Sequence, residues 1–600
     1  MALILSLGPL WGHDTSVALL DEGNLVWASS QERHDRIKHS SAFPSEAIEE
    51  MLRQTNHSFD EIDCIAIAQI PNDYIAAQYI IPSQQSESRK RNFLNQDLEK
   101  IRGLLTLPDT LREFYSYNGP IFHFPHHLCH LSHAFYTSKF DRAIGLSIDG
   151  AGETVTALSA LITPKGFEQI RDHAKYPDSL GLMYASITDY LGFLYGSDEG
   201  IIMGLAPYGN SNALIPGTSM KYRDYFDQSI DFNLGQIKLL FPNFYDFYNQ
   251  KSKWVGNEFL HTLGPRRNKA DEITEHHMNI AAAAQDTLEK NILILAEQIK
   301  SKINEDLPLV YSGGVSLNCS ANGQLLKSKI FSEIYVPAGS GDEGTAIGAA
   351  ILAAGKIKEL RVNRGRSVQV FFQPGIDPTQ NNFLVEAPHV DSNGFRLGSR
   401  FTNEEILESL SNPISDYREY KDYMPQIIKM LLAGKIGAIF DGPAEFGARA
   451  LGNRSIVCAP FPGDQKDYIN SRVKFREDFR PFAPAVLFED IHDYFDIEME
   501  SSPYMLFAVP VLENAKHLIP AVTHVDGSAR VQSVFKETSP ILHQLIHEFK
   551  KVTGIGVLLN TSFNVKGQPI VDTPAQALET FNSTNIDFMI IGNWIIEKQA

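Results

Sequence analysis

The sequence predicts an α/β protein built from more than one domain. Its 600 residues are too many for one hydrophobic core, which seldom exceeds ~300 residues. Two segments, Leu3–Leu20 and Ala143–Ile162, follow a related strand–loop–strand pattern with glycine in or beside the loop. Near Leu309 and Ile334, two strands lead into glycine-containing loops and helices, the order typical of sheets covered by helices. The related openings favour a duplicated α/β core in the first part of the chain.

Composition and charge exclude several classes of protein. With 43% hydrophobic and 21% charged residues, the chain is neither disordered nor collagen-like. A net charge of −19 argues against a general binder of nucleic acid or of anionic membranes. The first residues resemble a strand rather than a signal peptide, and no run of ~18 apolar residues occurs. We therefore expect a cytoplasmic protein with no membrane and no nucleic-acid partner.

The elements of the first half follow from apolar runs bounded by turn residues. Strands are predicted at Leu3–Leu7, Ser16–Leu20 and Leu25–Ala28, with the Asp21-Glu22-Gly23-Asn24 turn joining the last two. A strand at Ala143–Ile148 enters the loop that begins with Asp149-Gly150, and another strand follows this loop.

After residue 275, the spacing of apolar residues changes and predicts a long helix followed by strands. Apolar residues at helical spacing predict a helix over Met278–Ile303, and strands follow at Leu309–Tyr311 and Ile334–Val336. Regularity lapses over residues 361–400, which we take as a linker between domains 1–360 and 401–600. The second domain opens with predicted helices and a strand, at Asn403–Leu410, Met424–Leu432 and Ile436–Phe440.

A histidine cluster suggests a metal site. On a helix, His126 and His130 stand one turn apart on the same side, the spacing at which two imidazoles can bind one ion. Histidines are also common on surface helices and in cores, so spacing alone leaves both interpretations open. Asp149 and Asp342 follow strands or precede a helix, where a carboxylate can be a ligand, a cap or a turn residue. Two imidazoles and two carboxylates would suit Fe(II) or Mn(II).

A basic cluster in the second half suggests an anion pocket. Residues 445–486 interleave cations with glycine, proline and aromatic residues. A charge run is usually a solvated face, but cations within apolar, turn-forming sequence favour a pocket. Guanidinium groups bind phosphoryl oxygens in pairs, and lysine adds a point charge. Arg530 and the Leu558–Asn564 segment could complete this pocket, or could be plain turn sequence.

These motifs together resemble the NodU/CmcH-type O-carbamoyltransferases over nearly the whole chain. The matching strings are Gly12-His13-Asp14-Thr15-Ser16, Glu32-Arg33-His34, Lys38-His39, His126-His127-Leu128-Cys129-His130, Asp149-Gly150, Met203-Gly204-Leu205-Ala206, Ser312-Gly313-Gly314-Val315 with Asn318, Asp342, Gly447-x-Arg449-Ala450-Leu451-Gly452-x-Arg454-Ser455, Arg472-x-Lys474, Arg480-Pro481-Phe482-Ala483-Pro484 and Leu559-Asn560-Thr561-Ser562-Phe563-Asn564.

The resemblance implies two catalytic domains. The first would have a duplicated actin-like α/β fold, similar to the metal-dependent transferase that makes threonylcarbamoyladenosine in tRNA. The second would be YrdC-like, an α/β sheet around a positive cavity. In this family the second domain makes carbamoyl-adenylate from carbamoyl phosphate and ATP, and the first transfers the carbamoyl group to a hydroxyl of a small molecule. Antibiotics and alkaloid toxins, such as saxitoxin precursors, are acceptors of relatives.

The resemblance also implies a role for each matching residue. His13 would take the proton of the attacking hydroxyl, and Lys38 would lie near the phosphate. Iron, or else manganese or zinc, would be held by His126, His130, Asp149 and Asp342, and magnesium would accompany ATP. The nucleotide would contact Gly150, Gly313, Gly314 and Asn318. Carbamoyl phosphate would be bound by Arg449, Arg454, Lys474, Arg480, Arg530, Asn560 and Ser562.

The sequence departs from the family at two positions and leaves two rival functions. Ile201 stands where many relatives have lysine, and Ala448 where they commonly have proline. Segments 70–120 and 210–275 match least and would shape the acceptor pocket and homodimer contacts. A tRNA-modifying enzyme conflicts with the charge of −19. A sugar kinase-like enzyme would leave the basic cluster without a role.

Overall fold

The computed structural model describes residues 2–233, 235–248, 254–357, 370–372, 381–410 and 417–598. The chain divides into two compact units. The first comprises Met1–Val26, Ser41–Pro44 and Asn56–Val390, and the second comprises Trp27–Ser40, Ser45–Thr55 and Asp391–Ala600. Residues 361–369 and 373–380 of the predicted linker lie outside the described residues. Two short segments of the N-terminal region thus belong to the second unit.

The strands, numbered along the chain, are β1 (Leu3–Leu7), β2 (Ser16–Asp21), β3 (Asn24–Ser30), β4 (Cys64–Ile67), β5 (Ile121–His123), β6 (Ala143–Ile148), β7 (Val155–Thr163), β8 (Gly166–Lys175), β9 (Ile230–Asn233), β10 (Gln236–Leu239), β11 (Leu309–Ser312), β12 (Ile334–Tyr335), β13 (Val370–Phe372), β14 (Phe383–Leu384), β15 (Arg418–Glu419), β16 (Gly437–Phe440), β17 (Arg454–Cys458), β18 (Ala483–Leu487), β19 (Ala508–Pro510), β20 (Ser528–Arg530), β21 (Gln532–Val534), β22 (Val557–Ser562), β23 (Phe588–Ile591) and β24 (Trp594–Glu597).

The α-helices are α1 (Glu32–Asp35), α2 (Ser45–Thr55), α3 (Pro71–Ile75), α4 (Ile81–Gln85), α5 (Glu87–Asn92), α6 (Leu98–Leu105), α7 (Leu107–Tyr115), α8 (His126–Tyr136), α9 (Leu180–Tyr190), α10 (Glu199–Leu205), α11 (Tyr222–Asp227), α12 (Asn257–Leu263), α13 (Glu275–Ile303), α14 (Cys319–Lys327), α15 (Thr345–Ile357), α16 (Asn403–Leu410), α17 (Met424–Leu432), α18 (Gln465–Ile469), α19 (Ile491–Tyr494), α20 (Pro540–Thr553) and α21 (Pro574–Ser583). No helix within the described ranges is both long enough and apolar enough to cross a bilayer.

Two six-stranded mixed sheets form the core of the first unit. Their strand orders are β13-β5-β4-β1-β2-β3 and β12-β11-β6-β7-β8-β14. In the first sheet β1 pairs antiparallel with β2 and parallel with β4, and in the second β6 pairs antiparallel with β7 and parallel with β11. The two sheets therefore share a connectivity, and β1 and β6 are buried along their whole length, as central strands require.

Helices α8 and α15 pack closely in the first unit. At Gly348 of α15, an added Cβ would lie 1.9 Å from the carbonyl oxygen of Cys129 on α8. Only glycine allows this approach, because any side chain would overlap the backbone of α8. The contact fixes α8, which carries both predicted histidine ligands.

The second unit is built on an eight-stranded sheet with the order β15-β24-β23-β16-β17-β22-β18-β21. β16 runs parallel to β23, whereas β17 runs antiparallel to both β16 and β22. The carboxyl ends of β16, β22 and β23 consequently share one edge, the usual place for a ligand in an α/β sheet.

The predicted elements lie close to the observed ones. Strands β1 and β6 and helices α16 and α17 have the predicted bounds. The long helix α13 begins at Glu275, because Thr274 and His277 form a capping box ahead of the predicted start. The α/β class is confirmed for both units.

Candidate functional site

Helix α8 brings two imidazoles together in the first unit. The Nε2 atoms of His126 and His130 lie 3.0 Å apart, and both side chains are buried. Their separation of one helical turn accounts for the contact. The backbone N–H of His126, at the start of the helix, donates to the buried carboxylate of Glu153 at 3.1 Å. Glu153 thereby fixes the end of the helix from which His126 projects.

Two carboxylates face this pair of imidazoles. Asp149, which follows β6, places Oδ2 at 2.8 Å from His130 Nε2 and at 3.4 Å from His126 Nε2. Asp342 places Oδ1 at 3.3 Å from His126 Nε2 and at 3.6 Å from His130 Nε2. The structure therefore brings all four predicted metal-binding residues to one point.

Hydrogen bonds fix the orientation of the surrounding imidazoles. Ser312 Oγ donates to the carbonyl of Ser340 at 3.0 Å, so Nδ1 of His130, 3.3 Å away, must donate to Ser312. This leaves Nε2 of His130 directed at the two carboxylates. His127, in contrast, has both ring nitrogens engaged at 2.8 Å, by Ser147 Oγ and the Val155 carbonyl.

The electrostatics of the cluster follow from this geometry. Burial acts to lower the pKa of His126, but Asp342 and Asp149 raise it well above its ordinary value. Burial acts to raise the pKa of Asp149, but hydrogen bonds from His126 and His130 lower it well below its usual range. Burial and the charge of His126 lower the pKa of His127 to about 3, so this imidazole is neutral.

The four donors fit a divalent cation. Two ligands that are each ~2.1 Å from one ion lie ~3.0–3.4 Å apart at octahedral or tetrahedral angles. The separations of 2.8–3.6 Å between the donor atoms match this requirement. Two imidazoles and two carboxylates suit Fe(II) or Mn(II) better than a closed structural zinc site, which favours thiolates.

His13 lies in the loop between β1 and β2 of the same unit. Its Nδ1 is 2.8 Å from Oδ2 of Asp14, and its side chain is 42% exposed. Burial lowers the pKa of His13, but the carboxylates of Asp14, Asp342 and Glu199 raise it, to about 10. The imidazole is thus oriented by Asp14 and lies within the electric field of the candidate metal site.

The residues expected to bind the nucleotide border the same cluster. Gly313 has a φ of +94°, and an added Cβ would lie 2.3 Å from the Ile148 carbonyl, so glycine is required there. Gly150 donates its N–H to Asp149 at 2.6 Å, and an added Cβ at Gly314 would lie 2.9 Å from Oδ1 of Asp149. Because glycine has no side chain, only backbone atoms of these residues lie beside Asp149.

The Asn318 side chain is already engaged by the protein. Its Oδ1 caps α14 by accepting the N–H of Ala321 at 3.0 Å, and its amide exchanges hydrogen bonds of 3.0 Å with Gln285. Ile201, at the position where relatives often have lysine, is buried in α10.

In the second unit, Lys474 is the centre of a polar pocket. Its ammonium group is buried and donates to Ser562 Oγ at 3.2 Å and to Asn564 Oδ1 at 2.8 Å. It also donates to the carbonyls of Ser562 and Asn564, at 2.5 and 3.1 Å. Ser562 ends β22, at the carboxyl edge of the sheet.

Other cations surround Lys474. Burial, Arg476, Arg480 and Lys38 all lower the pKa of Lys474 well below its ordinary value. Burial, Arg480 and Arg530 do the same for Arg476. Positive groups that repel one another in a buried place are stabilised when an anion binds among them. Lys38, Lys474, Arg476, Arg480 and Arg530 thus act on one another as a cluster of cations, which we take as a candidate anion site.

The pocket contains one predicted residue from the far N-terminal region. Lys38 follows α1, in a segment that belongs to the second unit, and its charge acts on Lys474. Arg36 of the same segment donates to the carbonyls of Ile570 and Pro569 at 2.7 and 2.9 Å. These bonds attach the segment to the unit.

Arg454 has a different place from the other predicted cations. It is fully buried, its guanidinium stacks 3.7 Å from the Phe440 ring, and it donates to the carbonyls of Asp441, Gly442 and Ser399 at 2.8, 3.2 and 3.1 Å. Arg449, five residues earlier, is only partly buried. We leave Arg454 out of the ligand set, because its donors are committed to backbone carbonyls.

Asn560 is also tied to the protein. Its Nδ2 donates to Gln532 Oε1 at 2.7 Å and to the Ala450 carbonyl at 3.2 Å. From the sequence, Arg476 falls in the basic cluster and Asn564 in the Leu558–Asn564 segment, but neither was given a ligand role, although both act on Lys474. The signal was present, since each stands two residues from a predicted ligand, Lys474 or Ser562.

Comparisons with known proteins agree on one family. A family model described as the carbamoyltransferase N-terminus matches residues 4–351, and one described as the carbamoyltransferase C-terminus matches residues 428–598. An uncharacterised protein of Synechocystis is 34% identical over 98% of this chain and 95% of its own length. The nodulation protein NolNO of Sinorhizobium fredii is 34% identical over 99% of this chain and 80% of its own. The 3′-hydroxymethylcephem-O-carbamoyltransferase of Streptomyces clavuligerus is 28% identical over 70% and 68%.

Proposed function

The chain belongs to the carbamoyltransferase family, and from that premise we propose that it makes carbamoyl-adenylate from carbamoyl phosphate and ATP and transfers the carbamoyl group to a hydroxyl of a small molecule. The enzyme class is that of the family, a carbamoyltransferase. The donor chemistry, the two-step route and the acceptor are our proposal. In it the second unit activates the carbamoyl group and the first unit transfers it.

The observation that carries the proposal is the environment of Lys474. Within the described residues, its ammonium group is held by neutral oxygen atoms of Ser562 and Asn564. The charges nearest to it, on Lys38, Arg476 and Arg480, are positive. Carbamoyl phosphate is a small dianion with a planar amide, and such a ligand needs several cations together with neutral hydrogen-bonding groups.

In the activation step, the cations neutralise charge that develops on the departing phosphate. Carbamoyl phosphate and water give carbamate and inorganic phosphate, with the C–O–P bridge broken. A carbamate oxygen then attacks the α-phosphorus of ATP, and pyrophosphate leaves. Lys474, Arg449, Arg480 and Arg530 would hold the phosphoryl oxygens in these steps, and Arg476 and Lys38 would add positive charge. Ser562 and Asn560 would orient the carbamoyl amide.

In the transfer step, His13 acts as the general base. The acceptor hydroxyl loses its proton to Nε2, its oxygen attacks the carbamoyl carbon, and AMP leaves with the adenylate oxygen. Asp14, bonded to Nδ1 at 2.8 Å, holds the ring in the required orientation. His13 must be neutral to accept a proton, so the charges of Asp14 and Asp342, which raise its pKa, have to be offset when the site is loaded.

The metal cluster serves the transfer step. His126, His130, Asp149 and Asp342 would hold the ion, for which we propose iron, with manganese or zinc as substitutes. Once bound, it would supply a Lewis acid for an oxygen of the adenylate. Ser312 and Glu153 fix His130 and the start of α8, so the donors are oriented in advance.

The fold of each unit supports the proposal that the second unit activates the carbamoyl group and the first unit transfers it. The shared connectivity of the two sheets in the first unit supports a duplicated actin-like core, and the cation-lined sheet of the second supports a YrdC-like domain. The cephem relative carbamoylates a hydroxymethyl group by its printed name, which favours an alcohol as acceptor here. We propose a hydroxylated natural product, such as an antibiotic or an alkaloid toxin precursor.

The test measures pyrophosphate release from ATP by the whole chain, with and without carbamoyl phosphate. We expect release only when both are present, followed by a mass gain of one carbamoyl group on a hydroxylated acceptor from a panel. Phosphorylation of a sugar without pyrophosphate release would instead support a kinase-like enzyme. Carbamoylation or threonylcarbamoylation of tRNA would support the nucleic-acid alternative.

A further inference from the structure

A buried carboxylate organises the loop that carries Arg449. Glu445 lies at the start of this loop, and its Oε1 accepts hydrogen bonds from the backbone N–H groups of Leu451, Asn453 and Arg454, at 2.7, 2.7 and 3.1 Å. The segment of residues 445–454, which we name the arginine loop, therefore closes onto its own first side chain. This single oxygen atom of Glu445 therefore fixes the backbone that follows Arg449 in the loop.

Arg33 fixes the part of the arginine loop that precedes Arg449. This buried residue of α1 donates through Nη2 to the carbonyl of Gly447 at 3.0 Å and to that of Glu445 at 3.5 Å. It is more than four hundred positions away along the chain, yet it lies in the same unit. Glu445 and Arg33 thus fix the backbone on both sides of Arg449.

Further donors converge on the carbonyl of Leu451. They are Arg396 Nη2 at 2.9 Å, Gln532 Nε2 at 2.7 Å and Ser539 Oγ at 2.8 Å. A carbonyl that accepts three bonds has little freedom to move.

The charge of Glu445 is also needed in this place. Burial lowers the pKa of Arg396 and of Arg454, and the carboxylate of Glu445 opposes that effect for both. Removing one partner from a buried set of charges leaves the others without compensation. A neutral residue at position 445 would therefore loosen the loop and its arginine partners together.

We propose that Glu445 and Arg33 are positioning residues that hold Arg449 where it meets carbamoyl phosphate. Neither residue contacts the substrate, and both act through the backbone of the arginine loop. The inference rests on the proposed function for its ligand, but the order of the loop is measurable without any ligand. A displacement of ~1 Å in a group that binds the reacting centre can reduce the rate ~100-fold.

The test uses Glu445→Gln in the whole chain, which keeps the size of the side chain and removes its charge. Hydrogen–deuterium exchange of peptides covering 449–454 reports the three N–H bonds directly. We expect exchange there to accelerate ~10-fold or more, while peptides covering β22 stay protected. In pyrophosphate release, we expect KM for carbamoyl phosphate to rise ~10–100-fold, with a smaller change in KM for ATP.

Asp490→Asn is the matched control, because it removes another buried carboxylate of the same unit, one that accepts from Lys550 at 2.7 Å. It should leave exchange in 449–454 unchanged. Arg33→Gln provides a second test if Glu445→Gln does not fold. Unchanged exchange and unchanged KM in a folded variant would overturn the inference. Absence of pyrophosphate release by the wild type, with altered exchange in the variants, would instead overturn the proposed function.

Discussion

The Nε2 atoms of His126 and His130 lie 3.0 Å apart, and the same oxygen of Asp149 faces both. Nδ1 of His130 donates to Ser312, which leaves Nε2 of this ring directed at the two carboxylates. Two carboxylates at one largely buried point are stabilised by positive charge, which a protonated imidazole supplies here and a bound cation would supply in its place. The geometry explains why the helix spacing and the positions of the two acids belong to one candidate metal site.

Replacing one histidine ligand should remove the metal. We expect His130→Gln to reduce the bound iron or manganese to roughly a tenth of the wild-type content, since an amide is a poorer ligand than imidazole. Metal content per chain, measured by mass spectrometry after equilibration with each ion, checks this. His127→Gln is the control on the same helix and should keep the metal, because His127 bonds Ser147 and Val155. Equal loss in both variants would contradict the assignment.

Replacing Lys474 should stop activation. We expect Lys474→Met to lower carbamoyl phosphate-dependent pyrophosphate release at least ~100-fold, since a buried cation is lost from the phosphate site. Arg472→Met removes an exposed cation two residues away, whose guanidinium lies 4.7 Å from the Tyr468 ring. That control should retain most of the wild-type rate, and a similar loss in both variants would argue against the pocket.

Substitutions of Arg454 and Arg449 should differ in their effect on the stability of the protein. We expect Arg454→Met to lower the free energy of unfolding by ~3–5 kcal/mol, because it removes the Arg454 donors from the carbonyls of Asp441 and Gly442 and leaves that of Ser399 with only the N–H of Ala444. Arg449→Met should change the unfolding temperature little and abolish pyrophosphate release. Calorimetry of both variants checks this, and equal destabilisation would place the two arginines in the same role.

The stability of the first unit should depend on pH through His173. Burial lowers the pKa of His173 to about 4, while Gly235 accepts its Nδ1–H at 3.1 Å. The unfolded chain therefore binds more protons than the folded chain between pH ~4 and ~6.5, and the free energy of unfolding falls as the pH drops through that window. From this residue we expect a loss of about 2 kcal/mol between pH 6.5 and pH 5.

His173→Asn keeps a donor near the Gly235 carbonyl but cannot titrate. Denaturant midpoints of this variant should fall less steeply with decreasing pH than those of the wild type. Parallel slopes for the two proteins would show that His173 is not the source.

Much of the fold could be predicted from sequence, because strands such as β1 and β6 are continuous apolar runs that end at glycine or acidic residues. The metal-binding residues could also be placed, since helix spacing and strand ends both fix directions. The place of Arg33 could not be predicted, because nothing local marks it as a partner of residues more than four hundred positions away, and Lys38 was placed near the phosphate only through the family resemblance. Arg454 shares its glycine-rich surroundings with Arg449, and only burial distinguishes their roles.

The central claim is that activation and transfer take place at separate sites, and single-turnover analysis of His13→Asn tests it most directly. The variant is mixed with ATP, carbamoyl phosphate and an acceptor that the wild type carbamoylates. We expect it to release a burst of about one pyrophosphate per chain and to form no carbamoylated product. Loss of the pyrophosphate burst together with the product would contradict the account.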